Sequence, residues 1–209
     1  MKSIVIGEQL PLRYPAFSEV KTLIIGACYK KDNGGLRFRE MEAFNDAMLA
    51  KQAWRLLHDE QSLVHKILKA KYFPHGHILT AELGTKPSFT WRSVWGARGI
   101  IQKGSRWLIG NGEKVRIWED RWLPRPYSFR PITVGRAEDA TRRVAELIDK
   151  VNGVWNEPVV RSWFLPCDAE IIFSLPLCQS WPEDQLIWHF FADGKFSIKS
   201  AYHVARANS

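Results

Sequence analysis

Ten tryptophans in a chain of 209 residues set the first constraint on the fold. Each brings a large apolar face and one indole N–H that needs an acceptor wherever the ring is buried. A fold that hides them must place oxygen acceptors inside its core. With 45% hydrophobic and 25% charged residues, the chain has ordinary globular material and enough apolar surface to argue against wholesale disorder.

Periodicity divides the chain unevenly. Residues 1–33 show no sustained repeat and read as an irregular lead-in, interrupted by Pro11 and Pro15. From Glu40 to Asp59, Phe44, Met48, Leu49, Ala53, Leu56 and Leu57 recur at steps of three and four, which predicts a helix with those residues inward. A second helix is expected from Ser62 to Tyr72, with Leu63, Ile67 and Leu68 inward and Pro74 ending it. Ser88 or Thr90 can cap a third helix running to Gln102, weakened by Gly96 and Gly99.

The period then shortens. Trp107, Ile109, Val115 and Ile117 alternate around Gly110-Asn111-Gly112, which predicts a tight hairpin, and Pro124, Pro126 and Pro131 mark an extended connector. Later, Val144, Leu147 and Ile148 suggest a short helix, and Asp168 is expected to cap a helix over Ala169–Leu175. Leu186–Phe190 and Phe196–Ile198 form a second expected hairpin around Asp193-Gly194, and a final helix begins near Ser200. The class expected is α+β, mainly helical with two short β-hairpins. Its parts are the lead-in 1–33, a segment 34–130 and a segment 131–209.

The chain carries a formal charge of +8. Most of it lies between Lys86 and Arg130, where ten Lys and Arg face three carboxylates and leave net +7. Interleaved with them are Trp91, Trp95, Trp107, Trp118 and Trp122. Cations that meet phosphates and aromatics that stack on bases suit RNA or DNA, so Arg92, Arg98, Lys103, Arg106, Lys114 and Arg116 are the candidate contacts. The competing reading buries most of these tryptophans as core and leaves the cations as a solvated shell.

No catalytic residue is expected. Two-metal chemistry needs converging carboxylates, and Phe191-Ala192-Asp193-Gly194 offers a single Asp in what looks like a turn. Glu138, Asp139, Glu146 and Asp149 sit among Arg136, Arg142, Arg143 and Lys150, the mark of an ion-paired surface. Neither His75-x-His77 nor the scattered Cys28, Cys167 and Cys178 has metal-ligand spacing, so no metal or cofactor is expected. No phosphate-cradling glycine loop occurs, and no small-molecule substrate is implied. The absence of a secretory signal or a long apolar run suggests an intracellular protein and leaves its compartment open.

Several runs resemble the region downstream of the polymerase core in plant LINE-type, non-LTR reverse transcriptases. They include Gly34-Gly35-Leu36, Leu49–Leu56, Leu68–Pro74, Pro87–Ser93, Gly104–Gly112 and Val115–Pro124. Asp184–Trp188 and Gly194–Tyr202 resemble the opening of the reverse-transcriptase zinc-binding region. Arg37 stands where that pattern has Gly. The resemblance covers about 34–209 and implies a retrotransposon polyprotein with a polymerase before this connector and a zinc module and ribonuclease H after it. None of the catalytic residues of such a parent falls on positions present here. The function expected is therefore a non-catalytic fragment with weak nucleic-acid binding; the alternative is an adopted protein-interaction module.

Overall fold

A computed structural model describes residues 41–125, 128–191 and 193–207. The expected lead-in and the Gly34–Arg39 run lie outside them. Helices α1 (Met41–His58) and α2 (Leu63–Tyr72) are followed by α3 (Phe89–Gly96) and α4 (Arg98–Gly104). Strand β1 (Ser105–Leu108) leads into a long irregular stretch with 3-10 turns at Ala137–Asp139 and Val144–Leu147. After it come β2 (Ile148–Asp149), β3 (Val154–Trp155), α5 (Glu157–Trp163), α6 (Pro166–Ser174), β4 (Gln185–Trp188) and α7 (Ile198–Arg206). The class is the mainly helical α+β expected.

Local chemistry explains the helix starts. Ser62 Oγ accepts from His65 N and Ser88 Oγ from Trp91 N, each at 3.2 Å, satisfying a donor that the first turn leaves open. The third expected helix is two helices, broken at Ala97 between the glycines that weaken it.

The inward faces differ from the expectation. On α1 the buried stripe is Ala43, Ala47, Ala50, Ala53 and Leu56, while Phe44 is 48% exposed. On α2, Leu68 and His65 are buried, whereas Leu63 and Ile67 are 71% and 55% exposed. A row of alanines lets neighbouring elements approach the α1 backbone closely, and that packing outweighs the larger residues one step around the helix.

Neither expected hairpin forms. The two segments pair with each other: β1 and β4 are antiparallel, with Arg106 opposite Ile187 and Trp107 opposite Leu186. Long-range pairing satisfies both ladders and buries Trp188, which a local turn at Gly110-Asn111-Gly112 would leave exposed. The chain does reverse at Gly194, whose carbonyl accepts from Trp188 N at 2.8 Å, but Ile198 enters a helix, not a returning strand. Among the described residues the local strand pair is β2 with β3.

Two hydrophobic clusters result. The first joins α1–α4 to Trp188, Ala201 and Ala205 from the far end of the chain. The second gathers Val115, Ile117, Trp122, Leu147, Trp155, Val160 and Ile172. Trp91, Trp122 and Trp188 are fully buried. Their indole N–H groups donate to Leu83 O, Ile117 O and Ser200 Oγ, and Trp95 and Trp155 donate to Ala81 O and Leu175 O. Of the tryptophans in the basic stretch, Trp91, Trp95 and Trp122 each reach an acceptor, whereas the buried Nε1 of Trp118 reaches none among the described residues.

Candidate nucleic-acid interface

The six candidate cations fall on α3, α4, β1 and the loop after it. Arg92 is exposed on α3, and Lys103 is exposed near the end of α4. Arg98 is turned back on its own chain: its guanidinium lies 3.6 Å from the Trp95 ring and donates to Ala81 O at 2.7 Å. Arg106 donates from Nε to His189 Nδ1 at 3.2 Å and from Nη1 to Trp107 O. Lys114 pairs with Glu183 at 2.6 Å, and Arg116 pairs with Glu119. The structure does not gather all six into one cleft. Arg98, Arg106, Lys114 and Arg116 are committed to intrachain partners, which lowers what each can offer a phosphate.

Two buried carboxylates organise the surrounding loops. Asp184, 4% exposed, accepts from Gly110 N at 2.7 Å and Gly112 N at 2.9 Å through Oδ1, and from Lys114 N at 2.9 Å through Oδ2. It holds the Gly110-Asn111-Gly112 turn from the opposite end of the chain. Gly112 has φ +73°, and a Cβ there would run into the Ala145 backbone, so both the angle and the space call for glycine. Asp168, fully buried, accepts from Ile132 N, Thr133 N and Thr133 Oγ1 and pairs with Arg125 at 2.8 Å. It therefore does not cap its helix as expected. The helix begins at Pro166, and the carboxylate anchors the bend at 132–133.

The acidic surface run is ion-paired: Arg142 bridges Asp139 at 2.5 Å and Glu146 at 2.8 Å, and Lys150 meets Glu113. Asp193 Oδ1 accepts from Lys195 N within the turn at Gly194. His77 Nδ1 accepts from Leu79 N, and burial lowers its pKa. Cys167 and Cys178 are exposed free thiols. Among the described residues no group of three or more His, Cys, Asp or Glu could hold a metal ion, and no helix is long and apolar enough to cross a membrane.

Sequence reasoning missed Asp184 as an anchor. A lone Asp seventy residues from the turn it holds leaves no periodic signal. It also passed over His189, which pairs with Arg106 across the β1–β4 ladder.

No family model matches the chain, and no solved structure does. Two curated proteins of Arabidopsis thaliana are similar to it. Over 94 residues the chain is 40% identical to an uncharacterized mitochondrial protein, across 45% of this chain and 61% of that protein. Over 183 residues it is 28% identical to a protein named "Putative ribonuclease H protein", across 85% of this chain and 29% of that protein. The chain thus spans less than two thirds of each relative. The similarity lies among plant proteins, one of them carrying a ribonuclease H name.

Proposed function

We propose that the chain is the non-catalytic connector of a plant LINE-type retrotransposon polyprotein, with weak, salt-sensitive binding of RNA or DNA. The observation that carries this reading is the 183-residue similarity to the protein with the ribonuclease H name, which covers 85% of the chain. In this reading Asp184–Tyr202 corresponds to the opening of the zinc-binding region. The buried carboxylates support the inert assignment: Asp168 and Asp184 spend their oxygens on backbone N–H groups and Arg125. A nuclease or polymerase would aim such oxygens at metal ions. The relative's ribonuclease H name describes that protein, and this connector would act beside such a module.

Binding would rest on Arg92 at an exposed position and on Arg98, Lys103, Arg106, Lys114 and Arg116 to the extent that phosphate competes with their present partners. The test is titration of labelled single-stranded RNA and DNA against salt. Binding at about 50 mM salt with a linear log–log decline is expected; no binding there, or a salt-independent signal, rejects the electrostatic reading. Metal-dependent cleavage or primer extension by the purified chain would reject the inert assignment.

A second reading, an adopted protein-interaction module, draws on α2, where Leu63, Val64 and Ile67 lie exposed together. Burial of Trp91, Trp122, Trp155 and Trp188 removes the exposed-tryptophan surface that would favour it further.

A further inference from the structure

The tryptophans of the basic stretch are poorly placed to meet a nucleobase. Trp91 and Trp122 are fully buried, and the guanidinium of Arg98 covers the Trp95 ring at 3.6 Å. The same stretch does present one open aromatic face. Phe89 is 78% exposed, the most exposed phenylalanine among the described residues.

Its backbone is firmly held. Phe89 is the first residue of α3, and its carbonyl accepts from Ser93 Oγ at 3.0 Å. Ser88 before it caps the helix through Oγ, while Ser88 N donates to Tyr72 Oη at 3.0 Å. Tyr72, the last residue of α2, lies flat on buried Trp91, with ring centroids 4.7 Å apart and planes within 3°. The first turn of α3 is thus tied to α2 by a hydrogen bond and a stacked pair. An exposed ring on such a base is presented in a defined place.

Two cations stand beside it. Arg92 follows by three residues on the same helix, a spacing that sets the two side chains on one face with Cβ atoms about 5–6 Å apart. Lys71 lies across the Tyr72–Ser88 hydrogen bond, its Nζ 5.1 Å from the Tyr72 ring centroid. The hydrogen bonds with Ser88, and after them Lys71, hold the Tyr72 hydroxyl below its ordinary pKa, which places that charge at the start of α3. Elsewhere the protein pairs its cations, as at Lys114, Arg116, Arg125 and Arg142. Among the described residues neither Arg92 nor Lys71 forms an ion pair, and Glu82, the carboxylate nearest to Phe89 in sequence, meets neither of them.

We propose that Phe89 is a stacking platform for a base of single-stranded nucleic acid, with Arg92 and Lys71 meeting the phosphates on either side; this rests on the nucleic-acid reading above and names the side chain that meets the bases. An open ring between cations without carboxylates matches a ligand that is flat and apolar on its faces and anionic along its backbone. The positive end of α3 favours the same sign of charge. A single strand offers its base faces, whereas a duplex hides them in its own stack. Arginine suits the phosphate role because its planar fork meets two oxygens at once. Stacking reads no base edge, so the platform accepts any sequence.

The test is fluorescence anisotropy of labelled single-stranded DNA with the full chain, carried out with wild type, F89A, F89W and R92Q, while thermal melting reports on folding. A strand of the same length without bases separates contacts to bases from contacts to phosphates. Wild type is expected to bind the base-free strand roughly tenfold more weakly at about 50 mM salt, and F89A to bind both strands alike. F89A keeps every charge, so its salt slope stays that of wild type, whereas R92Q shallows the slope by about 0.7. F89W restores the binding that F89A loses. Equal binding of the two strands by wild type overturns the platform even if F89A misfolds. A folded F89A that binds as wild type does, or that still prefers the strand with bases tenfold, overturns it too and leaves the broader reading standing. A wild-type chain that binds neither strand overturns both.

Discussion

Gly104 and Trp188 are in direct contact: the indole lies so close to the glycine backbone that a Cβ at position 104 would fall inside the ring. The contact closes the end of α4 against β4 and seats a fully buried tryptophan between Trp54 and Phe196. Replacing Gly104 by Ala should overpack this site and cost about 1–3 kcal/mol, read as a lower urea midpoint. Trp188→Ala should cost more, about 3–5 kcal/mol, by leaving a cavity and removing the indole N–H that Ser200 Oγ accepts from. Equal stability of G104A and wild type would show that the two elements are not in contact.

Asp184 should matter for the turn it holds. Asp184→Ala removes the acceptor for three backbone N–H groups, and the expected loss is about 3 kcal/mol, with Asp184→Asn intermediate because one carbonyl oxygen remains. Amide hydrogen exchange at Gly110, Gly112 and Lys114 should accelerate in both variants. Unaltered exchange at those amides would contradict the anchoring role.

Asp168 is bound to Arg125, whose side chain is only 19% exposed. Asp168→Ala leaves that guanidinium without its carboxylate and should cost about 3–5 kcal/mol in denaturant unfolding. The double variant D168A/R125A should recover part of the loss, and a purely additive double would argue against coupling.

Acid should weaken the fold. His77 and His189 are both held below the usual imidazole value, His77 by burial and His189 by burial and then Arg106. The groups facing His189 are Arg106 from β1 and, across the Phe129 ring, Arg121. A histidine with a depressed folded pKa favours the unfolded state as it protonates. Its contribution is therefore full above about pH 6.5 and is lost as pH falls toward and through the folded value. The urea midpoint should drop between about pH 7.5 and 5.5, and His189→Gln should flatten part of that drop. A midpoint that rises on acidification would refute the assignment.

Cations held in ion pairs, such as Lys114 and Arg116, should contribute less to binding than Arg92, for which no ion pair is seen among the described residues. Removing Lys114 and Arg116 together is expected to change the salt slope by less than Arg92→Gln alone, for which a shift of about 0.7 is expected. The comparison needs only anisotropy titrations across a salt series.

Where structure followed from short-range rules, it was legible in the sequence. Ser62 and Ser88 cap as their positions suggest, α1, α2 and α7 lie close to the expected spans, and the indoles of Trp91, Trp122 and Trp188 find acceptors. What failed depended on distance. Gly110-Asn111-Gly112 looked like a hairpin because the alternation around it is strong, yet Trp107 pairs with Leu186 and the turn is fixed by Asp184. The α1 face was misread because size alone ranks Phe44 above Ala43 and Ala47, while close helix packing rewards the small residues. For the candidate interface, the six cations were identifiable by type, but their intrachain partners were not. The meeting of Arg121 and His189 on the Phe129 ring left no trace in spacing.

The β1–β4 ladder also sets a timetable. Arg106 and His189 meet across 83 positions, so the helical cluster stays open on one flank until the second strand and α7 have been synthesised. Such separation slows folding relative to a bundle of neighbouring helices. During translation the nascent chain would thus expose the pocket that Trp188 later fills, which makes it a natural client for chaperones and a target for proteases until that residue has left the ribosome.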